Sequence, residues 1–283
     1  SGRTKRPPFP MPLQAAPVSR RRARKVAKEM SETKLVKIIP RPAAWDEVRK
    51  PLTANVNEQN PLEVDLMTSF RSGYCYLAMD RYAALQRDYY VKVNVRFVRP
   101  VLMRDPEMFL KSTDYRYLYD PMDMGRQAQF LGLPWRGDMV PDICKTVGNA
   151  VTPTPNEEHG LFYRVYAVSG LIQSEHPGKA MGWAQRMFQT MYGGVDNWQN
   201  LIPEVLSELA IPADPTEKKS LDQKEHYFSI IEQNEANNHA SGHGGVPNGI
   251  FRCDPFWGHD RIDTLIWRLK QNGLTRRWSK PLD

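Results

Sequence analysis

Apolar and polar side chains alternate along Leu62–Phe70, where Leu62, Val64, Leu66 and Met67 mark the apolar positions. A period of two is the signature of a half-buried strand, so a first strand is predicted here. Val91-Lys92-Val93-Asn94-Val95-Arg96-Phe97-Val98 repeats the alternation and predicts a second strand, ended by Pro100. Between the two, Leu77, Tyr82, Leu85 and Tyr89 recur at helical spacing. Beyond Pro100 no alternation lasts. Segments 120–132, 157–172, 178–192, 196–210 and 216–238 have helical periodicity, punctuated by Pro134, Pro153, Pro155, Gly193-Gly194 and Pro212. Strand signals return at Asn248–Cys253 and Pro255–Trp257, and Ile262–Gln271 makes a last helix. The order predicts an α/β protein in which residues 61–100 and 242–283 form one domain and 101–241 a large, all-helical insertion. Residues 1–60, rich in Pro and charge, read as an N-terminal arm.

Composition adds little to that layout, but charge does. With 41% apolar and 25% charged residues, the chain has the balance of an ordinary soluble protein. No apolar run approaches the roughly 18 residues that predict a membrane span, and no export signal is read at the start of the sequence. The net charge of +7 is local: residues 1–30 hold nine Lys or Arg against Glu29 alone. The rest carries 30 basic and 31 acidic side chains, so the body is no polyanion binder. The arm can touch a polyanion or a protein partner, or simply be a solvated extension. Cys75, Cys144 and Cys253 are an odd number without a C-x-x-C spacing. That argues against a disulfide framework and a dithiol oxidoreductase, and points to a reducing cytoplasm.

Ser72 follows the first strand and precedes the helix, which places it at or near an N-cap. The first helical turn exposes N–H groups and the positive end of the helix dipole, which stabilise an anion such as a thiolate. Alone, the position reads as an ordinary capping serine. His239, His243, Cys253 and His259 hint at zinc, but Gly242, Gly244 and Gly245 break the helix that would present the first two. No companion spacing appears, so no metal site is expected.

Longer strings add a resemblance. Arg71-Ser72-Gly73-Tyr74-Cys75-Tyr76-Leu77-Ala78 and Gly244-Gly245-Val246-Pro247 are followed by Pro255-Phe256-Trp257-Gly258-His259-Asp260-Arg261-Ile262. Together they resemble the 2-hydroxychromene-2-carboxylate isomerases and kappa-class glutathione transferases, whose thioredoxin-like fold carries an inserted helical domain. The resemblance covers residues 62–273, strong at the two ends and loose between. It implies glutathione as cofactor, a homodimer, and isomerase or transferase activity on a conjugated, electrophilic aromatic substrate. It implies that Ser72 activates the glutathione sulfur and that Val246, before a cis Pro247, pairs through its backbone with the cysteinyl part. Asp260 would hold the γ-glutamyl group, with Gly73 and His259 in the same cofactor-binding set. Arg116, Tyr119 and Asp123, with Tyr74, would line the substrate pocket.

The sequence also departs from the family pattern. Gly73 replaces a proline, Cys75 a serine and Asn248 a threonine, and Asp105–Ser112 lacks the asparagine usual between Pro100 and Tyr119. Two other readings follow: a thioredoxin-like binding protein without turnover, or a thiol oxidoreductase using Cys75 alone. The second requires Cys75 to be reachable by solvent.

Overall fold

The computed structural model describes residues 51, 55–104, 114–136, 144–147, 150–153, 160–193 and 201–277. Nearly all of the arm and the Asp105–Ser112 stretch lie outside these residues. Val56, which the sequence places in the arm, is buried against the core.

The main sheet has four strands, Val91–Phe97, Leu62–Thr68, Asn248–Phe251 and Asp254–Trp257 in that spatial order. β1 (Leu62–Thr68) and β2 (Val91–Phe97) run parallel, Leu62 opposite Val91 and Thr68 opposite Phe97, joined by helix α1 (Gly73–Asp88). The alternation is realised: Val64, Leu66, Val91, Val93, Val95 and Phe97 are buried. The other face carries cross-strand charge, with Lys92 Nζ 3.3 Å from Glu63 and Arg96 Nε 3.0 Å from Asp65. The Asn94 amide and then Lys92 hold the Glu63 carboxyl below its usual range, against the opposing effect of burial.

β5 (Asn248–Phe251) pairs antiparallel with β1, Met67 opposite Asn248, and β6 (Asp254–Trp257) pairs antiparallel with β5. Arg252 and Cys253 both take positive φ in the tight turn between them. The last helix, Ile262–Lys270, packs on β5, β6 and α1, and places Ile262, Leu265 and Leu269 in the core at helical spacing.

Between β2 and β5 come α2 (Val101–Arg104), α3 (Asp114–Leu131), α4 (Gly160–Glu175), α5 (Ala180–Tyr192), α6 (Ile202–Glu208), α7 (Ala213–Asp222) and α8 (Lys224–Ala240). Helices α4, α5 and α8 pack on β2. No strand of the main sheet comes from this segment among the described residues. It is not all-helical, however. Cys144–Val147 and Ala150–Pro153 pair as a separate two-stranded ribbon, β3-β4. Its cause is local: β-branched Thr146, Val147, Val151 and Thr152 flank Gly148-Asn149, a two-residue hairpin signal. The single helical stretch expected at 216–238 is divided at Gln223, whose φ of −117° and ψ of 31° leave the helical region.

Candidate functional site

Ser72 caps α1. Its backbone is extended (φ −103°, ψ 110°) and its Oγ accepts the Cys75 N–H at 3.3 Å. Accepting uses a lone pair and leaves the hydroxyl proton available to donate, so capping and thiolate binding are compatible roles for one serine. The turn beneath it is fixed from the helical segment. Tyr166 Oη accepts the Phe70 N–H at 3.2 Å and lies 3.0 Å from Ser69 Oγ. Tyr192 donates its hydroxyl to the Phe70 carbonyl at 3.0 Å. Burial pushes both phenols above their ordinary pKa, so both remain protonated at neutral pH.

Gly73, the first helical residue, is buried. A Cβ there would run into Met124 Sδ and come within 2.7 Å of Trp135. The space a side chain or proline ring would take is therefore filled by α3 and the loop after it. Tyr76 fixes that loop by donating its hydroxyl to the Pro134 carbonyl at 2.7 Å. Trp135 stacks on Tyr192 at 5.5 Å between ring centroids.

Cys75 is fully buried, at 0% exposure, and burial raises its thiol pKa despite hydrogen bonds from its surroundings. A buried thiol with a raised pKa is neither nucleophile nor redox centre. The Cys75-based oxidoreductase thus fails its own requirement. Cys253 is exposed, in the β5–β6 turn.

The Val246–Pro247 peptide is cis. β1 leads into Ser72, and Pro247 leads into β5; with Met67 opposite Asn248, both junctions lie at the same end of the sheet. The peptide groups around Val246 are engaged. Gly244 O accepts from Arg104 at 2.7 Å, Gly245 O from Asn238 at 3.1 Å, and Pro247 O from Gly258 N at 2.9 Å. The Gly245 N–H donates to His243 Nδ1 at 2.9 Å. Val246's own N–H and C=O have no partner among the described residues. Beside them the His243 ring stacks on Trp257 at 4.1 Å, with Trp257 47% exposed.

Four predicted residues meet on the other flank. Tyr74 stacks on His259 (5.1 Å, 14° between planes) and donates its hydroxyl to Asp123 Oδ2 at 3.0 Å. Tyr119 donates to Asp123 Oδ1 at 3.3 Å. Burial, then the Asp123 carboxylate, raises the Tyr74 pKa, so this phenol is a donor and not a base. Burial lowers the His259 pKa, partly offset by Asp260 and Asp123. Both Asp123 oxygens are engaged, which makes the carboxylate an anchor for Tyr74. Arg116 lies on the same helix, α3, with its side chain outside the described residues.

Asp260 sits in a one-turn 3-10 helix, His259–Arg261, before the last helix. It is 56% exposed and pairs with Arg261 at 2.8 Å. Gly258 permits the turn: its φ of +116° favours glycine, and a Cβ would collide with Asp260 Oδ1. Arg81 of α1 ties the turn down through the His259 carbonyl at 3.2 Å and Asp263 at 2.6 Å.

A surface hollow lined by Ala83, Gln86, Arg87, Met181 and Gln185 lies toward the other end of α1. It holds no nucleophile or acid pair, so the candidate site rests on the Ser72 and Val246 junctions instead. Sequence reasoning missed Arg104, Met124, Trp135, Tyr166, Tyr192 and Asn238, all from the helical segment. Only Trp135 had a nearby signal, the Leu-Gly-Leu-Pro string that precedes it.

Among solved structures, that of a 2-hydroxychromene-2-carboxylate isomerase superposes with a TM-score of 0.56 at 18% identity, covering 74% of this chain and 95% of that one. A probable DsbA oxidoreductase from Streptomyces coelicolor superposes at 0.50 with 15% identity, covering 78% and 94%. The chain has a thioredoxin-like fold. Its thioredoxin-like sheet is β2-β1-β5-β6, and the helical segment enters between β2 and β5, as the sequence led us to expect. No family model and no curated protein matches the sequence.

Proposed function

We propose that this protein is a glutathione-dependent isomerase or transferase acting on a conjugated aromatic electrophile of the 2-hydroxychromene-2-carboxylate kind. One observation carries the reading: a serine that caps α1 shares an end of the sheet with a Val246 peptide that has no partner among the described residues, beside cis Pro247. Glutathione would lie extended between them, its cysteinyl backbone pairing with Val246 and its sulfur at Ser72. The helix dipole and the Ser72 hydroxyl stabilise the thiolate. Asp260 takes the γ-glutamyl ammonium. The thiolate adds to the electrophilic carbon, and the conjugated double bond becomes a rotatable single bond with its electron pair delocalised on the substrate. In an isomerisation, rotation and return of that electron pair expel the thiolate, so glutathione is not consumed. In a transfer, the substrate anion takes a proton and the thioether is the product.

Residues 61–100 and 242–283 then act as the glutathione domain and 101–241 as the domain that closes the substrate side through Tyr119 and Asp123, which meet Tyr74 of the first domain. A binding protein without turnover is a second reading, favoured by Met124 and Trp135 packed on Gly73 where the family has proline.

Calorimetry with glutathione, followed by turnover assays on conjugated electrophiles, separates the two. Binding with turnover supports the enzyme, binding alone the second reading, and no binding removes both. Thiol labelling tests the redox alternative: iodoacetamide should modify Cys253 in the native protein and spare Cys75 until unfolding. Rapid native labelling of Cys75 would restore that alternative.

A further inference from the structure

The loop ahead of Pro247 is held by the helical segment, and the holding residues form a connected set. Glu235, Asn238 and His239 lie at positions i, i+3 and i+4 of α8, so they share one face of its last turns. Glu235 binds Arg99 as a fork: Arg99 N and Nε each lie 2.9 Å from Oε1, and Nη2 lies 2.7 Å from Oε2. The Arg99 carbonyl accepts Arg104 Nε at 3.2 Å, and Arg104 Nη2 donates to the Gly244 carbonyl at 2.7 Å. Arg104 Nη1 lies 3.4 Å from His239 Nε2. Asn238 holds the next carbonyl, Gly245, and its Oδ1 accepts from buried Asn248 at 2.8 Å.

We infer that Arg104 is a positioning residue that aims the Val246 N–H and C=O at an extended, peptide-like ligand. The inference deepens the glutathione reading and rests on it for the ligand. A guanidinium is needed because its rigid fork spans the Arg99 and Gly244 carbonyls at once, whereas an ammonium is a single point of donation. Gly244 lacks a Cβ for the same contact, since one would come within 2.6 Å of the His239 ring. Arg104 thereby transmits the position of α8 to the ligand-binding peptide without touching the ligand.

Arg104→Met and Arg104→Lys test this in the full chain by calorimetry with glutathione, turnover of 1-chloro-2,4-dinitrobenzene, and hydrogen exchange of peptides covering 243–248. In Arg104→Met, glutathione affinity should fall at least about tenfold, with kcat at saturating glutathione within about twofold of wild type. Exchange in 243–248 should accelerate about tenfold while the β1 amides keep their protection. Arg104→Lys should lie between the two, and it carries the test if the methionine variant does not fold. Unchanged exchange in 243–248 overturns the inference, whatever glutathione does. If wild type binds no glutathione, the functional reading fails, and the exchange result alone decides the role of Arg104.

Discussion

The Ser72 turn and the Asp260 turn flank the same end of the sheet and are built in opposite ways. Ser72 caps a helix whose first turn is buried, with Tyr166 and Tyr192 reaching in from another segment to fix the backbone beneath it. Asp260 stands in an exposed turn, paired among the described residues with its neighbour Arg261 and leaning on Gly258. Yet the Asp260 string is the more specific of the two in sequence. Specificity of a string and rigidity of its site are separate properties. A site made by one short turn writes all its residues into one string, whereas a site made by packing scatters them along the chain.

That contrast can be broken most severely at Gly73. Gly73→Pro installs the family residue, and proline suits the first helical position. Met124 and Trp135 already fill the space, so the variant should lose about 1–3 kcal/mol of stability in denaturant unfolding. Met124→Ala in the same chain should recover part of it. A stable Gly73→Pro single variant would show that this packing is adjustable.

Ser72→Ala comes next. Loss of the cap should cost about 1 kcal/mol. Turnover should fall roughly ten- to a hundredfold, the effect of losing a hydrogen bond to a charged group. The pKa of bound glutathione, read from thiolate absorbance, should rise. Full activity would reduce Ser72 to a cap.

Acid should act on the flanks through histidine. Burial lowers the pKa of both His243 and His259 from 6.5. Below that value the unfolded chain takes up protons that the fold resists, so stability falls as pH drops through about 6.5 and is level above it. Glu63 and Glu175 have lowered pKa values from 4.5, so their contribution is lost only in a more acid window. Urea midpoints at pH 7.5 and 5.5 should differ in wild type and converge in a His243→Asn, His259→Asn double variant.

Asp260→Asn should change stability least, within about 0.5 kcal/mol, because its ion pair is solvent-exposed. Its effect should be on binding: KM for glutathione rises while kcat holds, since the γ-glutamyl end is remote from the sulfur. A fall in kcat at constant KM would place Asp260 in the chemistry.

Strands β1 and β2 were readable because one face of each is buried and the other solvated, so alternation survives in the sequence. The capping serine was readable from its place between a strand and a helix, whereas the cis bond before Pro247 was expected only from the resemblance, because an X-Pro pair does not fix its own isomer. The β3-β4 ribbon was missed because four-residue strands leave too short an alternation beside long helical periods. Tyr166 and Tyr192 look like ordinary core aromatics of buried helices, and nothing local distinguishes a tyrosine whose hydroxyl has a task from a phenylalanine. Arg104 is equally silent: its partners Arg99 and Gly244 are neighbours only in the folded chain.

The position of β1 also has a consequence for biosynthesis. β1 is an inner strand, and its partner on the β5 side is encoded after the whole helical segment. Until Asn248–Phe251 leaves the ribosome, a nascent chain with β1, α1 and β2 in place offers one unpaired edge of a strand rich in buried side chains. Open apolar edges template intermolecular pairing. Translation of the helical segment is therefore a window of exposure, and a stalled or truncated product lacking the last hairpin would be a substrate for holding chaperones and proteases.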